Sequence, residues 1–483
     1  MEKAFSPNTA VESGKTRYKT SYIVMICIIA AFGGLLFGLD QGFMNGSLTY
    51  IAKDLGLTTS QGASFAAILL WGSVIGALFS GMISRTIGRK NTLLMTAIIF
   101  TVFSLLSSFA GNITELTVYR FILGFSVGVA SFAVPLYLSE IAPTRLRGAF
   151  ISMYQMMITV GIFMIFLTND QIGGESASDW RPMFYAITIP ATIMLIGVFM
   201  IPKSPRWLML KKRPKDARKV LDRVRETQAE IETEISDMGN TVQKSGSVLS
   251  LFKSNIFLKV LALGIGLQML QQLSGINAVI YYSSSIFSAA GVPNPTTATV
   301  IVGLVNMLTT ILAVMFIDKL GRKPIMYFGF TVMILALCTA GYIFHTEAGL
   351  QAVGQHLSVG MKNTLLGSTL VYIFAFAISA GPIMWVICAE IFPLKGRDLG
   401  MTITTAVNWI FAALVVQFSL PFLAFSNGTP NPAGGAKLFF FFAFCCFIGI
   451  LVIRFFTPET KGVSLEKMEE NLRTGVKLKN IGA

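Results

Sequence analysis

Long apolar runs separated by short polar segments dominate the chain from residue 22 almost to residue 456. A helix needs about 20 apolar residues to cross the hydrocarbon core of a bilayer. Runs of that length centre on residues 22–47, 63–84, 92–111, 115–139, 148–168, 182–201, 256–290, 297–317, 324–345, 365–391, 400–424 and 436–456. The pattern therefore predicts an all-α membrane protein with twelve transmembrane helices.

The runs form two sets of six on either side of a polar stretch. This spacing divides the chain into an N-terminal tail (1–21), a first six-helix bundle (22–201), a linker (202–255), a second six-helix bundle (256–456) and a C-terminal tail (457–483). The linker carries apolar residues at helical spacing on a charged background, which predicts a small cytoplasmic helical segment: Ala217, Val220, Leu221 and Val224. For residues 239–247 a solvated connection is an equally good interpretation.

Composition and charge agree with a membrane location. Apolar residues make up 53% of the chain and charged residues 13%, whereas soluble proteins have about 25% charged residues. A net charge of +14 in a soluble chain would suggest a nucleic-acid partner. With both termini placed in the cytoplasm, however, 31 of the 38 Lys and Arg residues lie on that side, as the positive-inside rule requires. The charge therefore predicts topology, and we expect no nucleic-acid partner.

Two charged motifs occur twice, six runs apart. RTIGRK (85–90) follows the second run and DKLGRK (318–323) follows the eighth, while LSEIAPTRLRG closes the fourth and CAEIFPLKGRDLG the tenth. Such duplicated halves, rocking about a central site, are typical of transporters. Opposite charges at cytoplasmic span ends can pair across the bundles when that side is shut. This predicts a cytoplasmic gate formed by Arg85, Arg89, Glu140, Arg147, Arg322, Glu390 and Arg397. For any single residue, anchoring of a span by snorkelling is the alternative.

Between Gly34 and Gly462 the chain carries the motifs GLLFGLDQG, GRK, YRFILGFSVGVAS, PLYLSEIAPTRLRG, ISMYQ, PKSPRW, QQLSGINAVIYY, DKLGRK, SAGPIMWVICAEIFPLKGRD, NW and PETKG. With these motifs it resembles the sugar porters of the major facilitator superfamily. The resemblance implies the major facilitator fold and alternating access to a sugar site between two bundles. One departure is Lys203, where the family usually has an acidic residue, so we assign no gate contact to that position.

Asp40 and Arg120 are the clearest charges at membrane depth, and either would be costly to bury alone. Both are expected in the outer half of the bilayer, a depth match that permits a pair. A carboxylate beside an arginine stays ionised, and it takes up a proton when it moves into an apolar setting. We therefore predict that Asp40 carries a coupled proton and that Arg120 tunes its affinity. A static ion pair is the alternative, although by resemblance passive sugar porters commonly have Asn at the Asp40 position.

Amide side chains are concentrated in the seventh run. A sugar site needs hydrogen-bond donors and acceptors together with an aromatic plate. This run supplies Gln268, Gln271, Gln272, Asn277, Tyr281 and Tyr282. A helix break at Gly275 would turn both sides of the run toward one cavity. By resemblance, the substrate-binding residues are Phe37, Gln155, Gln271, Gln272, Asn277, Tyr281, Asn306, Trp385 and Asn408. For a lone amide such as Gln417, interhelical hydrogen bonding is the better interpretation.

These features and the resemblance together predict proton-coupled uptake of a monosaccharide, with both termini cytoplasmic. The resemblance implies a hexose, galactose or glucose first, and a bacterial inner membrane. A facilitative sugar uniporter is the alternative within the fold, and a sugar-sensing receptor on a transporter scaffold is a third hypothesis. No GxxxxGK[ST] phosphate loop and no catalytic grouping occurs, which disfavours an ATP-driven pump and an enzyme. The five cysteines lie in apolar runs without metal-ligand spacing. We expect a monomer in membrane lipid, with sugar and proton as partners and no cofactor or metal.

Overall fold

The computed structural model describes residues 9–143, 147–174, 176–242, 252, 254–393, 396–423, 431–461, 463, 465–474 and 476–481. Within these ranges the chain forms helices and turns and no strand. The first half contains α1 (Thr9–Leu55), α2 (Thr59–Ile87), α3 (Arg89–Ser108), α4 (Ile113–Ile141), α5 (Arg147–Ile172) and α6 (Trp180–Met200). The linker contains α7 (Pro205–Leu210), α8 (Pro214–Val224) and α9 (Gln228–Val242). The second half contains α10 (Asn255–Leu273), α11 (Ile276–Ala289), α12 (Pro295–Leu320), α13 (Arg322–Gln351), α14 (Val359–Ile378), α15 (Ala380–Ile391), α16 (Arg397–Leu423) and α17 (Pro432–Phe455), followed by α18 (Leu465–Arg473).

Twelve segments of the described chain are long and apolar enough to cross a membrane, which confirms the predicted all-α fold with twelve spans. Two spans are broken. The seventh consists of α10 and α11, separated at Gly275, whose φ of +95° is readily adopted by glycine. The tenth consists of α14 and α15, separated at Ser379, just before Pro382, which lacks the amide hydrogen needed to continue a helix. Both breaks place backbone polar groups inside the protein.

The first span begins earlier than its apolar run. Helix α1 starts at Thr9, although the run starts near residue 22, so the polar residues between them extend the helix beyond the membrane. No proline lies within this stretch to end the helix. Because successive spans alternate in direction, the start of α1, the linker helices and α18 lie on the same side of the bundle. We call this side the linker face, and the other side the opposite face.

The first half is packed by direct contact between helix backbones. A β-carbon on Gly38 of α1 would collide with the carbonyl oxygen of Ile158 on α5, and one on Gly124 of α4 would collide with that of Leu69 on α2. Small residues allow such close approach in membrane helices. The second half relies more on aromatic side chains, as where Phe344 of α13 stacks on Phe439 of α17. Between the halves, α2 packs on α16, α5 on α12, and α1 on α11.

The exterior of the spans is apolar. Side chains such as Ile196, Leu335 and Phe444 are more than half exposed, at 62%, 64% and 60%. An apolar band of this kind around twelve spans is typical of a protein surrounded by lipid. In the linker, α8 buries Ala217, Leu221 and Val224, in agreement with the predicted amphipathic helices. Helix α9 includes residues 239–242, whereas 243–247 lie outside the described residues.

Candidate functional site

The two charges predicted at membrane depth lie side by side. Asp40 on α1 and Arg120 on α4 are 1% and 0% exposed, and Asp40 Oδ1 lies 3.3 Å from Arg120 Nη1. The guanidinium carbon of Arg120 also lies 5.6, 5.5 and 5.9 Å from the ring centres of Phe43, Phe65 and Phe184. Ring faces attract a cation when it is shielded from water. Arg120 is thus held by one carboxylate oxygen and three aromatic rings.

A chain of amide hydrogen bonds crosses the second half, with Asn408 of α16 at its centre. Asn408 Nδ2 donates to Gln268 Oε1 at 2.6 Å and to Gln271 Oε1 at 2.7 Å. Asn408 Oδ1 accepts from Gln272 Nε2 at 3.0 Å, and Gln272 Oε1 accepts from Asn277 Nδ2 at 2.6 Å. All five side chains are buried. We call them the amide cluster: Gln268, Gln271, Gln272, Asn277 and Asn408.

Helix breaks position the amide cluster. The interruption predicted at Gly275 separates Gln272 at the end of α10 from Asn277 at the start of α11, yet keeps their side chains within hydrogen-bond distance. Gln271 Nε2 donates to the carbonyl oxygens of Ala380 and Gly381 at 2.8 and 2.9 Å, next to the break in the tenth span. The two discontinuous spans are therefore joined at one polar centre, as in transporters whose binding sites are built on broken helices.

Aromatic side chains border this centre. Phe37 of α1 packs edge-on against Trp409 of α16, with ring centres 5.2 Å apart. Trp409 is 5% exposed, and its indole Nε1 has no hydrogen-bond partner among the described residues. The buried hydroxyl of Tyr281 on α11 likewise has none. These two donors are placed where a polar ligand could satisfy them.

The other predicted substrate residues do not join the amide cluster. Gln155 lies on α5, Asn306 on α12 and Trp385 on α15. Helices α12 and α15 pack against α11 and α10 respectively, and α5 packs against α12 from the other half. Asn306 is 6% exposed, whereas Gln155 and Trp385 are partly exposed. They lie on spans adjacent to the cluster, and their side chains make no hydrogen bond to it in the described chain.

Sequence reasoning missed several residues at this centre. Gln41 Nε2 donates to Asn277 Oδ1 at 2.5 Å and so extends the amide cluster into the first half, one residue from Asp40. Asn45 lies one helical turn further along and bonds to α11. Gln41 and Asn45 are isolated amides four residues apart in an apolar run, and this spacing is the sequence pattern that could have identified them. Trp409 was present in the NW motif but was not assigned to the site.

The predicted gate residues Arg89, Glu140, Arg322 and Glu390 form ion pairs within each half. Arg89 Nε and Nη2 bind Glu140 Oε2 and Oε1 at 2.9 and 2.8 Å, within the first half. Arg322 Nη2 lies 3.2 Å from Glu390 Oε1, within the second. Each arginine opens a helix after a glycine turn and faces the end of a neighbouring span of its own half. The pairing across the bundles was expected for a shut cytoplasmic side, so it stays a prediction, and in this structure these residues pair within their own halves.

The remaining gate residues give one contact between the halves. Arg85 Nη2 lies 3.9 Å from Asp398 Oδ2, and both side chains are largely exposed, so the pair contributes little. Arg397 Nη2 donates to the carbonyl oxygen of Phe392 in its own half. The side chain of Arg147 lies outside the described residues.

The two faces of the bundle differ. At the linker face a cavity of about 370 Å³ separates α2 and α4 from α16, lined by apolar side chains such as Leu78 and Phe132 and by Arg85 and Asp398. At the opposite face, α1 is bonded to α11, and Thr297 Oγ1 of α12 donates to Asp170 Oδ1 of α5 at 3.1 Å. The halves are thus parted at the linker face and joined at the opposite face.

The turns at Gly88 and Gly321 belong to the repeated motif, and they differ in the side chain that lies nearby, which is Lys203 at Gly88 and Glu459 at Gly321. Gly88 and Gly321 have the same backbone geometry, with φ of 89° and 90°. After Gly321, the carboxylate of Glu459 accepts from the backbone N–H groups of Arg322 and Lys323 at 3.0 Å. After Gly88 no side chain caps α3, and Lys203 Nζ instead lies 5.6 Å from the ring centre of Trp207. In the described ranges no group of three His, Cys, Asp or Glu side chains could hold a metal ion.

The fold and site define a transporter of the major facilitator type. A family model described as Sugar (and other) transporter matches residues 26–472, and the chain therefore belongs to this family. The galactose-proton symporter of Escherichia coli K12 is 41% identical over 98% of this chain and 99% of its own length. The arabinose-proton symporter of the same strain is 37% identical over 95% of both. The motifs SAGP, PLKGRD and ISMYQ are the residues by which this chain resembles bacterial galactose/proton symporters in particular.

Solved structures give the same result. The MFS proton:xylose symporter XylE bound to 6-bromo-6-deoxy-D-glucose matches with a TM-score of 0.77 and 29% identity, covering 94% of this chain and 99% of that chain. The inward-open conformation of XylE from E. coli matches with a TM-score of 0.78 and 28% identity, covering 93% and 99%. These matches confirm the major facilitator fold predicted from the sequence.

Proposed function

We propose that this protein couples the uptake of a monosaccharide to the entry of a proton. The observation that carries the proposal is the placement of Asp40, a buried carboxyl paired with Arg120, one residue from Gln41, which bonds to the amide cluster. A buried carboxyl can exchange a proton when its ion pair is remade. Buried amides and an indole supply donors and acceptors for sugar hydroxyls. One helix, α1, thus connects a proton site to a sugar site.

The proposed mechanism is alternating access. Sugar and proton enter at the opposite face, the halves rock, and both are released through the cavity at the linker face. The linker face is cytoplasmic in this proposal, because most Lys and Arg residues lie there. The substrate residues are the amide cluster with Phe37, Gln155, Tyr281, Asn306, Trp385 and Trp409. A single chain supplies the whole site, which supports a monomer, and the bacterial symporter relatives support a location in the bacterial inner membrane.

An experiment with an imposed pH gradient tests whether sugar uptake is coupled to proton entry. In proteoliposomes with an imposed pH gradient, the wild type should accumulate labelled galactose. Asp40→Asn should lose accumulation and retain sugar counterflow, because the amide cannot carry the proton. Asp222→Asn, which makes the same charge change at an exposed position on α8, is the matched control and should accumulate normally. Accumulation by Asp40→Asn at the wild-type level would contradict the proposal and favour the facilitative uniporter.

The substrate is a hexose in this proposal, with galactose or glucose favoured by the family resemblance and by the name of the galactose-proton symporter. Relatives named for arabinose and xylose support the wider monosaccharide class. A counterflow panel of labelled galactose, glucose, xylose and arabinose would rank them. Trp385→Ala should weaken sugar binding measured by calorimetry, and unchanged affinity would remove Trp385 from the site.

A further inference from the structure

Helix α1 presents two functional faces. Asp40 and Gln41 are adjacent, so their side chains point about 100° apart around the helix. Asp40 faces Arg120 in the first half, whereas Gln41 faces Asn277 in the second. Asn45 lies four residues after Gln41 and therefore on the same face. Any shift of α1 that alters the ion pair also alters the contacts to the second half.

Gln41 and Asn45 hold α1 against α11 through four hydrogen bonds, which we call the amide clasp. Gln41 Nε2 donates to Asn277 Oδ1 at 2.5 Å. Asn45 Nδ2 donates to the carbonyl oxygen of Ile280 at 2.7 Å and to Ser283 Oγ at 2.5 Å. Asn45 Oδ1 accepts from the backbone N–H of residue 284 at 2.9 Å. Gln41, Asn45 and Ser283 are 8%, 3% and 0% exposed, so water does not compete for these bonds.

The ion pair beside the clasp is incomplete. Asp40 Oδ1 makes one contact with Arg120 at 3.3 Å, while Asp40 Oδ2 and Arg120 Nε and Nη2 have no hydrogen-bond partner among the described residues. A buried carboxylate and guanidinium normally form two short parallel bonds, and leaving their atoms unpaired is costly. The geometry with the clasp formed is therefore unfavourable for an ionised Asp40. A protonated Asp40 carries no charge and does not require the second bond.

We propose that Gln41 and Asn45 are positioning residues of the coupling step, because the amide clasp and a complete Asp40–Arg120 ion pair exclude one another. When Asp40 takes a proton from the opposite-face solution, its carboxylate becomes a carboxylic acid and Arg120 keeps its own charge. The neutral carboxyl no longer requires a bidentate ion pair, so α1 packs against α11 and the amide clasp closes the opposite face over the sugar. Loss of the proton at the linker face restores the pair and opens the clasp. This inference rests on the proposed function and supplies the step that connects its two sites.

Few other charges act on this region. Arg120 of α4 pairs with Asp40 at 3.3 Å, and the buried hydroxyl of Tyr281 on α11 is the titratable group on the side of the second half. On the neighbouring helices, Asp170 of α5 is bonded to Thr297 at the opposite face, and Arg181 of α6 is paired with an aspartate there. Asp54 of α1, the partner of Arg181, is exposed, so Asp40 is the buried carboxyl of α1 in the described chain and is the group on which a pH effect transmitted through α1 reports.

The experiment measures the initial rate of galactose uptake across a pH series in proteoliposomes. Gln41→Leu and Asn45→Ala weaken the amide clasp, so closure of the opposite face stabilises the protonated form of Asp40 less than in the wild type. Half-maximal uptake should then require a proton concentration about fivefold higher for each hydrogen bond lost, since one neutral hydrogen bond changes the closure equilibrium by about that factor. Ser283→Ala removes an acceptor of the clasp from the α11 side and should shift the pH profile in the same direction.

Gln417→Leu is the matched control. Gln417 accepts from Trp71 Nε1 at 3.2 Å, an amide contact between the halves that does not involve α1. Its pH midpoint should stay within about twofold of the wild type, because the hydrogen bond that is lost joins α2 to α16 and leaves α1 and the amide clasp unchanged. Unchanged midpoints in Gln41→Leu, Asn45→Ala and Ser283→Ala, with counterflow intact, would overturn the inference while leaving symport standing. If the wild type itself does not accumulate galactose under a pH gradient, the proposed function fails, and the inference with it.

Discussion

Asn408→Leu should reduce sugar affinity more than any other single change in the amide cluster. Leucine keeps most of the side-chain volume but removes three hydrogen bonds, two donated by Asn408 and one accepted from Gln272. Asn408 can exchange these bonds for bonds to sugar hydroxyls, each worth about 1 kcal/mol, so loss of all three costs about 3 kcal/mol of binding, or roughly 100-fold in Kd. The expected change is therefore between about tenfold and 100-fold, because the freed amides of Gln268 and Gln271 can partly rearrange.

Isothermal titration of purified protein with galactose measures this change. Gln417→Leu is the control, because it replaces an amide by leucine on the same helix, outside the amide cluster. It should bind galactose as the wild type does. If Asn408→Leu were folded, as judged by gel filtration, and bound galactose within about twofold of the wild type, the amide cluster would not be the sugar site.

Three further predictions concern stability. Glu459→Gln should lower the melting temperature at neutral pH. Burial raises the pKa of Glu459, but four backbone N–H groups donate to its carboxylate and leave the pKa below the ordinary 4.5. The stabilisation is therefore lost as the pH falls through this lowered pKa. A difference in melting temperature from wild type that grew on acidification would contradict this account. Lys203→Glu should raise the melting temperature by supplying the carboxylate that α3 lacks, worth about 0.3–1 kcal/mol, and Lys203→Gln should give less; equal effects would exclude capping. Gly38→Ala should abolish the yield of folded protein through collision with Ile158, whereas Gly266→Ala, with no neighbour within 4 Å, should not; equal yields would show that α1 and α5 can separate.

The spans could be predicted from the sequence because their length and apolar character are decided by the bilayer alone. The break at Gly275 could be predicted because glycine adopts a positive φ without strain. The start of α1 at Thr9 was missed, because the end of an apolar run marks where the membrane ends and not where the helix ends.

Contacts between the halves could not be predicted. Gln41 meets Asn277, across 236 positions of sequence, only because of the relative rotation of two packed bundles, which no local pattern encodes. Within the first half, Arg89 pairs with Glu140 because α3 packs on α4, a contact that the spacing of the repeated motifs does not specify. Asp40 and Arg120 were the exception. Two isolated charges at equal depth in apolar runs have few other partners, so their pairing could be expected.

Proton movement accompanying sugar tests the central claim most directly. In de-energised proteoliposomes without a pH gradient, addition of galactose to a weakly buffered external medium should make that medium more alkaline, because each sugar entering carries a proton inward. Asp40→Asn should take up galactose down its gradient with no pH change. A wild-type protein that takes up galactose with no alkalinisation would contradict symport and leave a uniporter.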